Sequence, residues 1–280
     1  MQNFNNNVYK QGHFQSWNND FGDNFIDNNG LHKDIMTQKN IQTGGSYQAE
    51  VSGAYGEFTI STIFKSLPEQ FHVMNDILLQ QGVKLRPYKP EIYGQSPWKL
   101  GKKKGRLYEI VQKSTQLDHV IVSPYGIFII ETKNHKGWVF GDVNGAVWTQ
   151  VLSGEANNRA YGGHDHYTFY NPVKQNETHI QELSKQLKLS RQFIQGMIVF
   201  TNPQAYLGNI NCNCCYTLDT LYNTLIGLST ARPIWTPQQT EKIIHLIEKI
   251  DTNNYTNAKI HKAYVEDIKH HKEINKQLRK

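Results

Sequence analysis

Asp118, Glu131 and Lys133 are of types and at a spacing that could do chemistry. All three lie within "TQLDHVIVSPYGIFIIETKNHKG", residues 115–137. Residues two apart in a strand share a face, so Glu131 and Lys133 point the same way. The turn "SPYG" offers Pro124 and Gly126 where a type I turn takes them. A symmetric hairpin about Pro124-Tyr125 places Asp118 directly across from Glu131, with Cβ atoms roughly 4.5–5.5 Å apart. Like charges directly opposite destabilise a hairpin, so something must offset them. A shared proton, Lys133 or a divalent cation between the two would do so. The cation is the most economical of these, and hard carboxylate oxygens suit Mg2+ or Mn2+. Held there, it would polarise a phosphodiester and lower the pKa of a bound water. Lys133 would orient that water or stabilise charge building on the phosphate. The other reading of the same residues is a structural ion-pair cluster, Asp118–Lys133–Glu131.

The elements that position these groups are legible around them. Ile127 and Ile129 share a face with Glu131, and Phe128 and Ile130 take the other, so the second strand of the hairpin is central and covered on both sides. Upstream, "SGAYGEFTISTIFKSL" predicts a helix capped by Ser52 and ended by Pro68. Gly53, Glu57, Ile60, Phe64 and Leu67 form its stripe. A carboxylate on a core-facing stripe is costly without a partner. Glu57 is therefore a further metal ligand, an outer contact to the site, or an edge residue reaching water. "QFHVMNDILLQ" follows as a strand. Residues 82–114 then carry three prolines and the cluster Lys102, Lys103, Lys104 and Arg106, and predict an inserted loop or basic hairpin between two core strands. Such a patch grips phosphates or is a solvated charge run.

Downstream, "GWVFGDVNGAVWTQ" predicts a hairpin turning at Asn144-Gly145, and residues 154–170 a Gly- and His-rich loop. "NPVKQNETHIQELSKQLKL" predicts a helix with Pro172 in its first turn. "QGMIVFTN" reads as a buried strand. Two helices follow, the second capped by Thr236 with Pro237 behind it. From Asp251 the chain becomes a basic, polar helix or tail. The class is α/β, a central mixed sheet flanked by helices.

Composition bounds the rest. The chain has 280 residues, 38% of them hydrophobic, with a mean hydropathy of −0.61, a formal charge of +6 and a pI near 9.0. A basic balance suits an anionic partner such as nucleic acid. Residues 1–46 are rich in Asn, Gln, Gly and Asp, a composition of flexible arms; Phe4, Phe14, Trp17, Phe21 and Phe25 give that arm groups with which to dock a protein partner. No secretory h-region and no bilayer-spanning run is present, so a soluble, cytoplasmic protein without a membrane partner is expected. The three cysteines, Cys212, Cys214 and Cys215, lack a matching Cys/His pair for zinc, which leaves a structural or incidental role. His164, Asp165 and His166 are adjacent loop residues and do not converge on one centre. His119, next to Asp118, faces the other side of its strand, and Asn134 and His135 lie just past Lys133. There is no P-loop. Nothing in the sequence sets an oligomeric state.

An aspartate, a hydrophobic hairpin and Glu-x-Lys, preceded by a Glu-bearing helix, resembles the PD-(D/E)xK nuclease superfamily and, within it, the nuclease-related domain (NERD) family. The pieces are "GAYGE" at 53–57, "TQLDHVIVSPYGIFIIETKNHKGWVFGD" at 115–142, "FYNPVKQNETHIQEL" at 169–183 and "GMIVFTN" at 196–202. The resemblance implies a restriction-endonuclease-like core over 47–205 with a basic insert at 82–114, the arm at 1–46, and a C-terminal helical extension with a basic tail over 206–280. It implies Mg2+-dependent (or Mn2+-dependent) endonucleolytic cleavage of nucleic acid, DNA foremost. Glu57 matches the helix glutamate, Asp118 the metal-binding aspartate, Glu131 the second acidic ligand and Lys133 the catalytic lysine. Gln175 matches the glutamine of an "NPxxQ" element that touches substrate or the attacking water. His179, one turn on, shares its face. Lys102, Lys103, Lys104 and Arg106 would hold the nucleic-acid backbone. The long insert and arm depart from the short family pattern. A catalytically inactive nucleic-acid-binding or protein-interaction module on the same fold is the alternative.

Overall fold

A computed structural model describes residues 56–153 and 164–278; the arm at 1–46, the cap Ser52 and the stretch 154–163 lie outside the described residues. Helix α1 (56–64) leads into β1 (His72–Pro87), α2 (Pro90–Tyr93), β2 (Lys99–Lys103), β3 (Arg106–Ser123) and β4 (Gly126–Lys133). Then come β5 (Gly137–Asp142), β6 (Val147–Ser153), β7 (His164–Tyr170), α3 (Pro172–Leu187) and β8 (Ile194–Phe200). The chain finishes with β9 (Ala205–Asn211), β10 (Cys215–Thr217), α4 (Leu218–Leu228), α5 (Pro237–Ile250) and α6 (Tyr255–Gln277).

Two sheets result. The large one has the order β1-β3-β4-β8-β10, with β2 added on β3; the small one has the order β7-β6-β5-β9. β4 is antiparallel to β3 and parallel to β8, which makes the large sheet mixed. As its doubly apolar pattern requires, β4 is covered on both faces. Ile127 and Ile129 pack with Ile180 and Leu183 of α3 and Ile247 of α5. Phe128 and Ile130 pack with Ile60 and Phe64 of α1 and Leu221 and Leu225 of α4. The fold is a restriction-endonuclease-like α/β core, with the C-terminal helices built against it.

α3 is fixed at both ends of its approach. Asn171 caps it through Val173 N at 2.9 Å and donates to three carbonyls of the β5–β6 turn, those of Asp142, Val143 and Gly145. Asn176 donates to Ile129 O and Met197 O, between the parallel strands β4 and β8. A Cβ on Gly196 would lie 2.9 Å from Ile180 Cδ1, so this glycine lets α3 close onto the sheet.

The large and small sheets share a seam. Thr201 N donates to Lys133 O at 3.0 Å and Gly137 N to Gln204 O at 2.8 Å. The parallel pair β4/β8 thus passes into the parallel pair β5/β9 by a bend just beyond Lys133. Crevices beyond the carboxyl ends of parallel strands are where open α/β sheets bind ligands.

One sequence expectation is resolved and two change here. Of the two readings of residues 82–114, loop or basic hairpin, the structure has the hairpin: β1 and β3 run on through them as one antiparallel ribbon, with β2 at its outer end. Alternation of apolar with charged residues ("VKLRP", "LYEIV") sustains the strands. His164–Tyr170 is a strand rather than a loop, paired along its length with β6. The segment after residue 205 holds two strands besides its helices. Cys212 and Cys214 form a disulfide beside the free Cys215, whose thiol burial pushes up to about 12.

Candidate active site

Glu131 and Lys133 close the carboxyl end of β4. Glu131 is only 1% exposed, and both of its oxygens are engaged. Lys133 Nζ donates to Oε1, and His179 Nε2 lies 3.2 Å from Oε2. The far side of that ring, Nδ1, is 2.7 Å from Thr115 Oγ1, so His179 is held from two strands. One turn nearer the start of α3, Gln175 Oε1 accepts from Lys133 Nζ at 3.4 Å.

The hairpin register is that of the symmetric turn: Ser123 faces Gly126 and His119 faces Ile130. One step beyond this ladder stands Asp118, whose Oδ2 accepts from Thr132 N at 2.8 Å and Thr132 Oγ1 at 2.9 Å. Leu117 and Val120 both enter the α3-side cluster, as do Met74 and Ile77 on β1. Side-chain alternation therefore slips by one at Asp118 and at its neighbour Asp76, which has a φ of 57°. The slip ties Asp118 to β4 at Thr132, where regular pleating would not.

Glu57 arrives from the other side of the sheet. A Cβ on Gly56 would lie 2.6 Å from Thr201 Oγ1 and 3.1 Å from Asn134 Cβ. Only glycine lets the first turn of α1 settle so close to the ends of β4 and β8, and the next residue, half-buried, is Glu57. Burial, then Asp118, Asp76 and Glu131, push the Glu57 carboxyl up to about 7 against the opposing Lys133. Burial and Glu131 push Asp118 up to about 6, against Lys133 and the Thr132 hydrogen bonds. Burial alone would raise Glu131, but Lys133 and His179 outweigh it and hold that carboxyl below its usual range. Burial would lower the Lys133 ammonium, yet Glu131 and Asp118 keep it above the ordinary lysine value. Lys133 is thus a fixed cation facing three acids.

Does this set suit a divalent cation? Among the described residues no donor reaches Asp118 Oδ1 or the Glu57 carboxylate, and burial first, then neighbouring carboxylates, raises the pKa of both groups. Such a surplus of hard oxygens calls for positive charge. The set is open, however. The ligand atoms of Glu57, Asp118 and Glu131 do not all lie within 4.8 Å of one another, whereas the sulfurs of Cys212, Cys214 and Cys215 do, two of them already joined as a disulfide. A Mg2+-type cation keeps several waters and needs only one or two protein carboxylates. Asp118 and Glu131 fit that requirement, with Glu57 beside them.

The remaining sequence candidates fall elsewhere. Lys102, Lys103, Lys104 and Arg106 are exposed at the β2–β3 turn, where Lys104 and Gly105 adopt φ of 49° and 75°. Arg106 and Asp118 lie on the same strand, twelve residues apart, which places the basic tip about 40 Å from the acids. His119 is buried edge-on against Phe64 with Nδ1 2.7 Å from Asn75 Oδ1. His135 stacks on Phe169 and bonds Gln150; burial and the Lys133 charge push its pKa down to about 4. Gly56, Asp76, Thr115 and Thr132 escaped sequence reading. Only Gly56 carried a signal, a glycine in the first turn of a helix beside the stripe's one charge.

The nuclease-related domain family matches residues 52–201, which span α1 through β8 and all five residues of the cluster. An uncharacterised protein of Bacillus anthracis is 34% identical over 70 residues, 25% of this chain and 28% of that protein, so the chain spans little more than a quarter of that relative's length. No solved structure matches. With more than half of its length matched, the chain belongs to the nuclease-related domain family.

Proposed function

We propose that the chain is a metal-dependent nuclease that hydrolyses phosphodiester bonds of DNA, working in the cytoplasm. The observation that carries this reading is the convergence of Asp118, Glu131, Lys133, Gln175 and Glu57, drawn from β3, β4, α3 and α1, at the bend beyond β4. Asp118 and Glu131 would hold a Mg2+ or Mn2+ ion, with Glu57 as a third ligand or a contact to its water. When bound, the ion supplies a polarised phosphodiester and a water of lowered pKa. Lys133 stays protonated among the acids, so its role is to donate a hydrogen bond and stabilise charge gathering on the phosphate. Gln175 accepts from Lys133 and has its amide N–H groups left to orient substrate or water. His179, supported by Thr115, fixes the rotamer of Glu131. The basic ribbon tip would hold backbone phosphates far from the cut; about 40 Å is little more than one turn of duplex.

The test is cleavage of supercoiled plasmid, linear duplex, single-stranded DNA and RNA with Mg2+, Mn2+ or EDTA, alongside Glu131→Ala and Lys133→Ala. Metal-dependent cutting of DNA that disappears in both variants is expected. Cutting that survives both substitutions would place the chemistry elsewhere. The engagement of both Glu131 oxygens by Lys133 and His179 favours one second reading, a site locked as an ion-pair cluster in an inactive nucleic-acid-binding module. Binding without cutting in any metal would establish that reading instead.

A further inference from the structure

The small sheet buries one face and leaves the other open. Val139, Trp148 and Phe169 point into the cluster shared with Ile198 and Phe200 of β8. The alternate positions point out. The register lays Tyr206, Trp138 and Val151 in one row across the sheet and places Phe140 beside Thr149 in the next. Trp138 is 49% exposed and Tyr206 55%. Large aromatic side chains seldom stand in water in such number without a partner.

The chemistry of the face selects the partner. Its large exposed groups are mostly aromatic, Trp138, Phe140, Tyr170 and Tyr206 against the one exposed aliphatic Val147, and they are interleaved with Thr149 and Thr168. Trp138 and Phe140 are two apart on β5, so their rings rise from backbone about 6.6–6.8 Å apart, room for one unstacked base on each. Tyr206 backs Trp138 at 5.0 Å between ring centres and 22° between planes, so that indole is held ready with one face free. Cations border the face. Lys136 is exposed one residue before β5, and Lys272 Nζ sits 5.1 Å over the Tyr170 ring at the end of β7. Trp138 is five residues past Lys133, at most about 18 Å from it along the chain.

We propose that this open face is a stacking platform for a single-stranded segment of the DNA substrate, with Trp138 and Phe140 each taking a base and Lys136 and Lys272 drawing the backbone. Aromatic rings alternating with small polar residues on a four-stranded sheet bind unpaired bases through their π-faces. A duplex hides those faces and gains nothing here. The proposal rests on the nucleic-acid reading above and names the strand form that reading leaves open.

The experiment is fluorescence anisotropy of a labelled thymidine oligomer and of a duplex of equal length, in EDTA so that nothing is cut. Wild type, Trp138→Ala and Trp138→Phe are compared, with thermal melts to establish that each variant is folded. Loss of one stacked base is worth roughly 5- to 150-fold in affinity. Trp138→Ala should therefore weaken oligomer binding by about tenfold or more and leave duplex binding unchanged, while Trp138→Phe keeps most of the affinity. Equal oligomer binding by wild type and Trp138→Ala would overturn the proposal, as would a wild type that binds duplex but not the oligomer. Trp138-dependent oligomer binding in a protein that never cuts with Mg2+ or Mn2+ would uphold the platform and sink the nuclease reading alone.

Discussion

The large sheet is covered on both faces, by α3 and α5 on one side and α1 and α4 on the other, and its acids gather where that cover parts. The small sheet is covered on one face, and what it leaves in water is aromatic. The contrast is one of dielectric. Charge placed at the end of a doubly covered strand is desolvated and coupled, so Glu57 and Asp118 are raised while Glu131 and Lys133 hold each other ionised. Groups on an open face keep solvent and offer contact area instead.

Two tryptophans on opposite faces of the small sheet give the widest separation. Trp148 is fully buried, and its Nε1 donates to Asp142 O at 2.9 Å. Trp148→Ala should cost about 3–5 kcal/mol in denaturant unfolding. Trp138→Ala should cost about 1 kcal/mol or less. Equal losses would mean that the open face is structural. Next in size is the charge cluster: Glu131→Ala or Lys133→Ala should lower the cleavage rate by about 10²–10³-fold or more.

Glycines extend the comparison at smaller cost. Gly56→Ala meets Thr201 Oγ1 and Asn134, and should cost about 1–3 kcal/mol and lower cleavage with it. Gly208→Ala on the open sheet meets nothing within 4 Å and should leave the melting temperature unchanged.

Metal and pH sharpen the account of the covered sheet. Asp118 and Glu57 are raised to about 6 and about 7, so their stabilising effect is complete below about pH 4 and is lost as pH rises through those values. A bound divalent cation offsets that loss. Scanning calorimetry should therefore find an increase in melting temperature with Mn2+ that is small at pH 5 and several degrees at pH 8. A pH-independent increase would place the ion elsewhere. The smallest effect belongs to the ribbon tip. Lys103→Ala or Arg106→Ala should each flatten the slope of log affinity for duplex against log salt by roughly 0.9.

How much of this was legible in the sequence follows from range. The hairpin from Thr115 to Lys133 was readable because its pattern is local: apolar on both faces of β4, a turn at Pro124-Tyr125, and the symmetric register that holds from Ser123–Gly126 to His119–Ile130 and stops one step short of Asp118. Pro172 in the first turn of α3 and the cap Thr236-Pro237 were readable for the same reason. The outer ribbon was readable only as a choice between loop and basic hairpin, because prolines and lysines disguised strands that gain order by pairing with each other. His164–Tyr170 reads as a loop in the sequence because its polar alternation makes sense only beside β6. Within the site, His179 was visible as a neighbour of Gln175, but its bond to Glu131 joins residues 48 apart. The Thr132 support of Asp118 depends on a slip in the pleat that no residue type announces.

The central claim is that the cluster at the end of β4 is a cation site and not merely an ion-pair network. The most direct measurement is a Mn2+ titration followed by electron paramagnetic resonance, on wild type and on the Asp118→Asn, Glu131→Gln double variant. The expected result is one saturable Mn2+ per wild-type chain that the double variant loses while it still melts cooperatively. Equal Mn2+ binding by both proteins, or none by wild type, would contradict the claim.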